Sequence, residues 1–327
     1  MCFSLRLLRV LDALTIRFYN FPSEVAELVH LRYVGGKLPS SISKLWNLQY
    51  LIVRRYQIIK SSGSLSYLPR EIWNMQELRH LQVMGSILPD PRGAVLPNLV
   101  KILDVSAHSC TKEVFEAVLN LEKLGIQMEY ALDGDHKFCC FDHLSHLRAL
   151  KSLKCVAMVI RNLKSRVVAP PASTKNFPLG LEKLTLSGLG YSWQHMSKIA
   201  ASPNLKVLKL RNYAFRGSEW TTDQGDFRQV KILVLEDTDL RHWRAKLRPF
   251  KALEHLIVRH CYKLEKIPSE IGDKLRGLKM MELVDVKPSL VASAKKMQHR
   301  QTLVMASANE CFQLRTRSSW EDMELKS

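Results

Sequence analysis

The residues with the most evident chemical potential lie between positions 139 and 146, where Cys139, Cys140, Asp142, His143 and His146 come close together. Thiolates and imidazoles are zinc ligands, and His143-x-x-His146 has a spacing that metal sites use. Two adjacent cysteines chelate one ion awkwardly, however, and the chain has no Cys-x-x-Cys. The alternative makes the segment a connector whose Phe141, Leu144 and Leu147 face a core. No metal site is expected. Catalytic patterns are missing too: there is no Gly-x-Ser-x-Gly, no His-Glu-x-x-His and no Gly-x-x-x-x-Gly-Lys-Ser/Thr phosphate loop. The chain is read as a protein without catalytic residues and without a cofactor.

A second set of functional side chains is spread along the chain. Lys209, Arg211, Glu236 and Arg259 each stand between or just after apolar residues two apart, as in Leu208-Lys209-Leu210-Arg211 and Leu256-Ile257-Val258-Arg259, with Tyr213 nearby. Side chains alternate along a strand, so leucines that point inward leave the residues between them on the opposite face. Parallel stacking would then build one column from Thr185, Lys209, Val234, Ile257 and Glu282. Its neighbour would hold Ser187, Arg211, Glu236, Arg259 and Val284. With strands about 4.8 Å apart, Arg211, Glu236 and Arg259 become near neighbours. Such a mixed-charge patch could grip a protein partner. The same residues could instead form a surface ladder that binds nothing.

The elements that must position these residues are legible in LPSSISKLWNLQYLIV, residues 38–53. Ile42, Leu45, Leu48 and Leu51 are three apart, and Leu51-x-Val53 closes with a two-residue step. Three-residue steps wind a tight turn, and the two-residue step makes a short strand. The unit recurs as LPREIWNMQELRHLQV (68–83) and, with a degraded start, as IPSEIGDKLRGLKMMEL (267–283). Shorter copies keep only the strand end and bring the count to about twelve, spaced roughly 20 to 31 residues, as in a leucine-rich-repeat solenoid. The expected core is Leu31, Leu48, Leu51, Leu78, Leu81, Leu124, Leu153, Leu184, Leu208, Leu233 and Leu256. The expected class is α/β, a horseshoe with one short parallel strand per repeat on the concave face and an irregular or short-helical convex side.

Repeats fill residues 1–286, with a loop break near 161–177 around Pro170-Pro171. Thr111 to Leu121 fits a short amphipathic helix, with Thr111 as N-cap and Glu113 in its first turn. Residues 287–327 are expected to hold a C-terminal helix over Ser289–Gln301, then a frayed, disordered tail. No polar cap precedes the first repeat strand, which suggests a fragment of a longer protein.

Of 327 residues, 46% are hydrophobic, and 49 Lys and Arg against 31 Asp and Glu give a net charge of +18. That charge is scattered, which argues against specific nucleic-acid binding and for an acidic partner, with weak anionic-membrane association as a lesser outcome. No Asn-x-Ser/Thr occurs and the seven cysteines show no paired framework, so a reducing, cytoplasmic setting is expected. No stretch approaches the length of a membrane span.

The phrases LRVLDA (8–13), ELVHLRYVGGKLPSSISKLWNLQYLIV (27–53), LPREIWNMQELRHLQV (68–83), VLKLRNYAF (207–215) and LEHLIVRHCYKLEKIPSEIGD (253–273) resemble plant intracellular disease-resistance proteins. These are the coiled-coil nucleotide-binding leucine-rich-repeat receptors, in the late blight resistance group. The resemblance covers roughly residues 1–300. It implies a repeat region that recognises a pathogen effector or host target protein and folds back on an upstream nucleotide-binding domain. The coiled coil, phosphate loop and Met-His-Asp motif are absent, so nucleotide binding is not implied. A free-standing scaffold or adaptor, or a truncated receptor fragment without activity of its own, is the alternative.

Overall fold

The computed structural model describes residues 10–11, 33–35, 40–52, 68–83, 85–129, 141–158, 177–246, 249–272, 277–304 and 311–319. Leu31, Cys139, Cys140, most of the expected 161–177 break and the last eight residues lie outside them.

The three-residue steps that precede the strands are single hydrogen-bonded turns. Pro69, with φ −64° and ψ 143°, holds the chain extended before a 3-10 turn at Arg70–Asn74. Met75 N–H then donates to Ile72 O (3.2 Å) and Leu78 N–H to Met75 O (3.0 Å). An i to i+3 bond brings every third side chain to the same side, so Ile72, Met75 and Leu78 are all buried. The earlier copy repeats this with Leu45 N–H to Ile42 O and Leu48 N–H to Leu45 O, both 3.0 Å.

The chain falls into two compact units: Met1–Lys164 with Lys175–Gly180, and Ser165–Thr174 with Leu181–Ser327. In the first, β1 (Val10–Leu11), β2 (Tyr33–Gly35), β3 (Tyr50–Ile52), β4 (His80–Gln82), β5 (Lys101–Ser106), β6 (Lys123–Glu129) and β7 (Ser152–Met158) pair in chain order, all parallel. The register slips between Ile102 and Val105, opposite Gly125. Asp104 adopts φ 56° there. A Cβ on Gly125 would lie 3.0 Å from Asp104 N, so only glycine lets β6 pass the bulge at this distance. The helix predicted from Thr111 is shorter than its apolar pattern suggested. α1 spans Lys112–Glu116, and Thr111 Oγ1 accepts from Val114 N–H at 3.3 Å.

In the second unit the main sheet runs β8 (Lys183–Ser187), β10 (Val207–Arg211), β13 (Ile232–Glu236), β15 (His255–Arg259), β16 (Met280–Val284) and β17 (Gln313–Arg317), again parallel. On the return path, two small parallel pairs add strand structure: β9 (Tyr191–Ser192) with β11 (Phe215–Arg216), and β12 (Glu219–Thr222) with β14 (His242–Ala245). They carry an aromatic stack. Trp220 lies 4.9 Å from both Trp193 and Trp243, the latter pair tilted by only 9°. Short helices α2 (Ser197–Ala200) and α3 (Ser269–Gly272) complete the turns, and α4 spans Pro288–Val304.

The tail is a correction. Residues 313–317 form a strand rather than frayed chain, pairing Met281 with Leu314 and Leu283 with Thr316. One leucine in five residues gave no periodic signal; the anchor is Phe312, which is buried. Its N–H donates to Gln301 Oε1 and its carbonyl accepts from Gln298 Nε2, both residues on α4.

Leu48, Leu51, Leu78, Leu81, Leu124, Leu153, Leu184, Leu208, Leu233 and Leu256 are all buried, none more than 1% exposed. Cys155 takes a leucine's place in β7 at 0% exposure. Among the described residues, no helix is long and apolar enough to cross a membrane.

Candidate functional site

The backbone sets the geometry of the sheet's open face, the face away from the buried leucines. At each strand start one carbonyl accepts two successive N–H groups from the next strand. Glu182 O takes Lys206 and Val207, Lys206 O takes Lys231 and Ile232, and Lys231 O takes Glu254 and His255. This forked pairing fixes register, so residues at equivalent positions line up across strands.

The central column is Thr185, Lys209, Val234, Ile257, Glu282 and Arg315. A second column ends each strand with Ser187, Arg211, Glu236, Arg259, Val284 and Arg317. A third begins each with Lys183, Val207, Ile232, His255, Met280 and Gln313. Half-buried Val207, Ile232, Ile257 and Met280, with buried Val234, form an apolar centre between charged margins.

Two ion pairs bridge adjacent strands. Arg211 Nε lies 3.1 Å from Glu236 Oε2. Both atoms are shielded from solvent but not aligned for a hydrogen bond, so the contact is ionic. Arg259 does not close on Glu236, its register partner. It donates from Nε (3.1 Å) and Nη2 (2.7 Å) to Glu282 Oε1 on the far side. Arg211, Glu236 and Arg259 thus share a column but not one cluster of contacts.

Lys209 stands between these pairs and holds its proton less tightly than an ordinary lysine. Burial is the main cause, followed by the like charges of Lys183, Arg211 and Arg259; Glu236 opposes them. Among the described residues neither Lys183 nor Lys209 has a carboxylate partner. Tyr213 lies past the strand end, 46% exposed and at φ 55°. The Arg216 guanidinium sits 5.7 Å from its ring centre.

Two features escaped the sequence reading. The residues just before each strand form a charge ladder: Glu122 to Lys151 (2.7 Å), Glu182 to Lys206 (2.7 Å), and Lys231 (2.9 Å) and Lys279 (2.6 Å) on either side of Glu254. Alternating Glu and Lys immediately ahead of the leucine pattern was the available signal. Just past the strands, His260 reaches Asp237 at 3.6 Å from Nδ1 and Asp285 at 3.4 Å from Nε2. Asp237 and Asp285 occupy left-handed turns, which aspartate tolerates well.

Of the cysteine and histidine segment, Phe141, Leu144 and Leu147 are buried, and the rings of His143 and His146 lie 6.2 Å apart. Among the described residues no three His, Cys, Asp or Glu side chains converge on a metal position. Cys261 is buried, and burial pushes its thiol pKa up to about 11, so it is a packing residue rather than a nucleophile.

No family model matches the chain. Whole proteins do. A putative late blight resistance protein homolog of Solanum demissum is 33% identical over 311 residues, covering 90% of this chain and 22% of the relative. A second, from the same plant, is 32% identical over 324 residues, covering 94% of this chain and 23% of its own length. The chain therefore spans under a quarter of the length of each of these two relatives. Among solved structures, the plant peptide hormone receptor RGFR1 in complex with RGF2 aligns at TM-score 0.46 and 15% identity, over 90% of this chain and 50% of that one. The leucine-rich repeat domain of APL1B aligns at TM-score 0.36 and 14% identity, over 91% and 87%. The chain is a leucine-rich-repeat solenoid homologous to one stretch of the late blight resistance homologs.

Proposed function

We propose that this chain is the recognition and autoregulatory repeat region of a cytoplasmic plant immune receptor, working by binding and not by catalysis. The observation that carries this reading is the match to late blight resistance homologs over nine-tenths of the chain. The open face of the second unit supplies a suitable surface, with an apolar centre, charged margins and two lysines, Lys183 and Lys209, that have no ion-pair partner among the described residues. The partner is a pathogen effector or a host target protein. In the resting receptor the repeats hold the signalling domains in one state, and a ligand that prefers the released state shifts the population.

A graft in leaf tissue tests this. The matching stretch of a Solanum demissum homolog is replaced by this chain, either unchanged or carrying Lys209→Glu with Arg211→Glu, and cell death is scored at rest and on challenge. The unchanged graft should stay silent at rest. The charge-reversed graft should either signal at rest or lose its response. Identical behaviour of the two grafts in both conditions would overturn the proposal.

A further inference from the structure

We propose that the open face of the second unit binds an acidic, partly aliphatic protein segment, its carboxylates drawn to Lys183 and Lys209 and its apolar side chains laid on Ile232 and Ile257. This rests on the reading of the chain as a partner-binding repeat region and adds the chemistry of the partner.

Some of the charges on this face are already committed. Arg211 and Arg259 are held by Glu236 and Glu282. Lys183 and Lys209 lie on the neighbouring strands β8 and β10, diagonally placed because Lys183 pairs in register with Val207 and Lys209 with Thr185. Neither has a carboxylate within ion-pair distance among the described residues. Burial and surrounding cations already weaken the Lys209 ammonium. A carboxylate delivered there would relieve that repulsion, and partial burial would strengthen the attraction relative to open solvent.

The class of anion follows from what lies beside the lysines. A nucleic-acid strand needs a continuous cationic track and aromatic platforms. This face interrupts its cations with Glu236 and Glu282, and no Phe, Tyr or Trp occupies an open-face position of the six main strands. Instead, Ile232 lies half-buried on the strand next to Lys209, and Ile257 lies half-buried one strand farther on, beyond buried Val234. Aliphatic surface next to cations fits a polypeptide carrying both acidic and aliphatic side chains.

The test is fluorescence anisotropy with the purified full chain. Three labelled probes are used: a peptide alternating Glu and Val, the same peptide with Lys for Glu, and an oligothymidylate. The chain is compared with Lys183→Glu/Lys209→Glu, with Lys209→Arg, and with Lys112→Glu/Lys263→Glu, which changes net charge equally elsewhere. The Glu-Val peptide should bind best. The first double variant should lose about tenfold or more in affinity, while Lys209→Arg and the distant reversal stay near the starting value. Equal weakening by both reversals, tighter binding of the oligothymidylate, or no binding of the Glu-Val peptide overturns the proposal. Those results leave the leaf-tissue outcome independent, so the two readings fail separately.

Discussion

Arg259 hydrogen-bonds to Glu282 and not to Glu236, although Glu236 is the residue directly beside it in the sheet. Glu236 is already taken by Arg211. Both arginines therefore reach toward the later strand, and the two pairs link four strands without merging into one network.

A double-mutant cycle checks this separation. Arg259→Met and Glu282→Gln should show a coupling of about 0.5–1 kcal/mol in urea unfolding, since the pair is partly exposed. Arg259→Met and Glu236→Gln should couple more weakly. A larger coupling for the second combination would refute the assignment.

Glu254 predicts an acid limb in the stability profile. Hydrogen bonds from Lys279, then Lys231, lower its pKa from 4.5 to about 2. A carboxylate depressed in the folded state contributes stability in full above its unfolded value, and loses it as pH falls toward the folded one. Thermal unfolding should thus show wild type above Glu254→Gln at neutral pH. The gap should narrow between pH 4.5 and about 2. Each exposed pair adds only about 0–1 kcal/mol, so the gap should be small. A gap that stays constant down the acid range would contradict the assignment.

Gly125→Ala tests the bulge. The added methyl meets Asp104 N at 3.0 Å and Leu103 Cα at 3.3 Å, backbone atoms that cannot rotate away. Overpacking of this kind should cost about 1–3 kcal/mol. Gly93→Ala is not a fair control, because its φ of 84° adds strain of its own. Gly277→Ala, with Leu253 O at 3.7 Å, is the better comparison and should cost less.

The turn-and-strand repeat could be read from residue types because the three-residue steps ahead of the strands correspond to single hydrogen bonds, as at Leu45 and Leu48. The Thr111 cap was legible for a similar reason: one side chain serves a nearby N–H. Contacts across strands were harder. Register places Glu236 beside Arg259, but rotamers and competition from Arg211 decide that Glu282 receives it. The Trp193–Trp220–Trp243 stack joins residues outside the leucine pattern, so periodicity gave no notice of it. β17 was missed because its anchor, Phe312, precedes the strand and is held by α4.

The most direct test of the receptor assignment is the transcript across Met1. The account predicts a reading frame that continues upstream, in frame, into a nucleotide-binding domain with a Gly-x-x-x-x-Gly-Lys-Ser/Thr loop. A frame closed by a stop codon just upstream, with a 37.6 kDa protein accumulating in the plant, would contradict it. Regulation of a nucleotide switch within one chain would then be impossible.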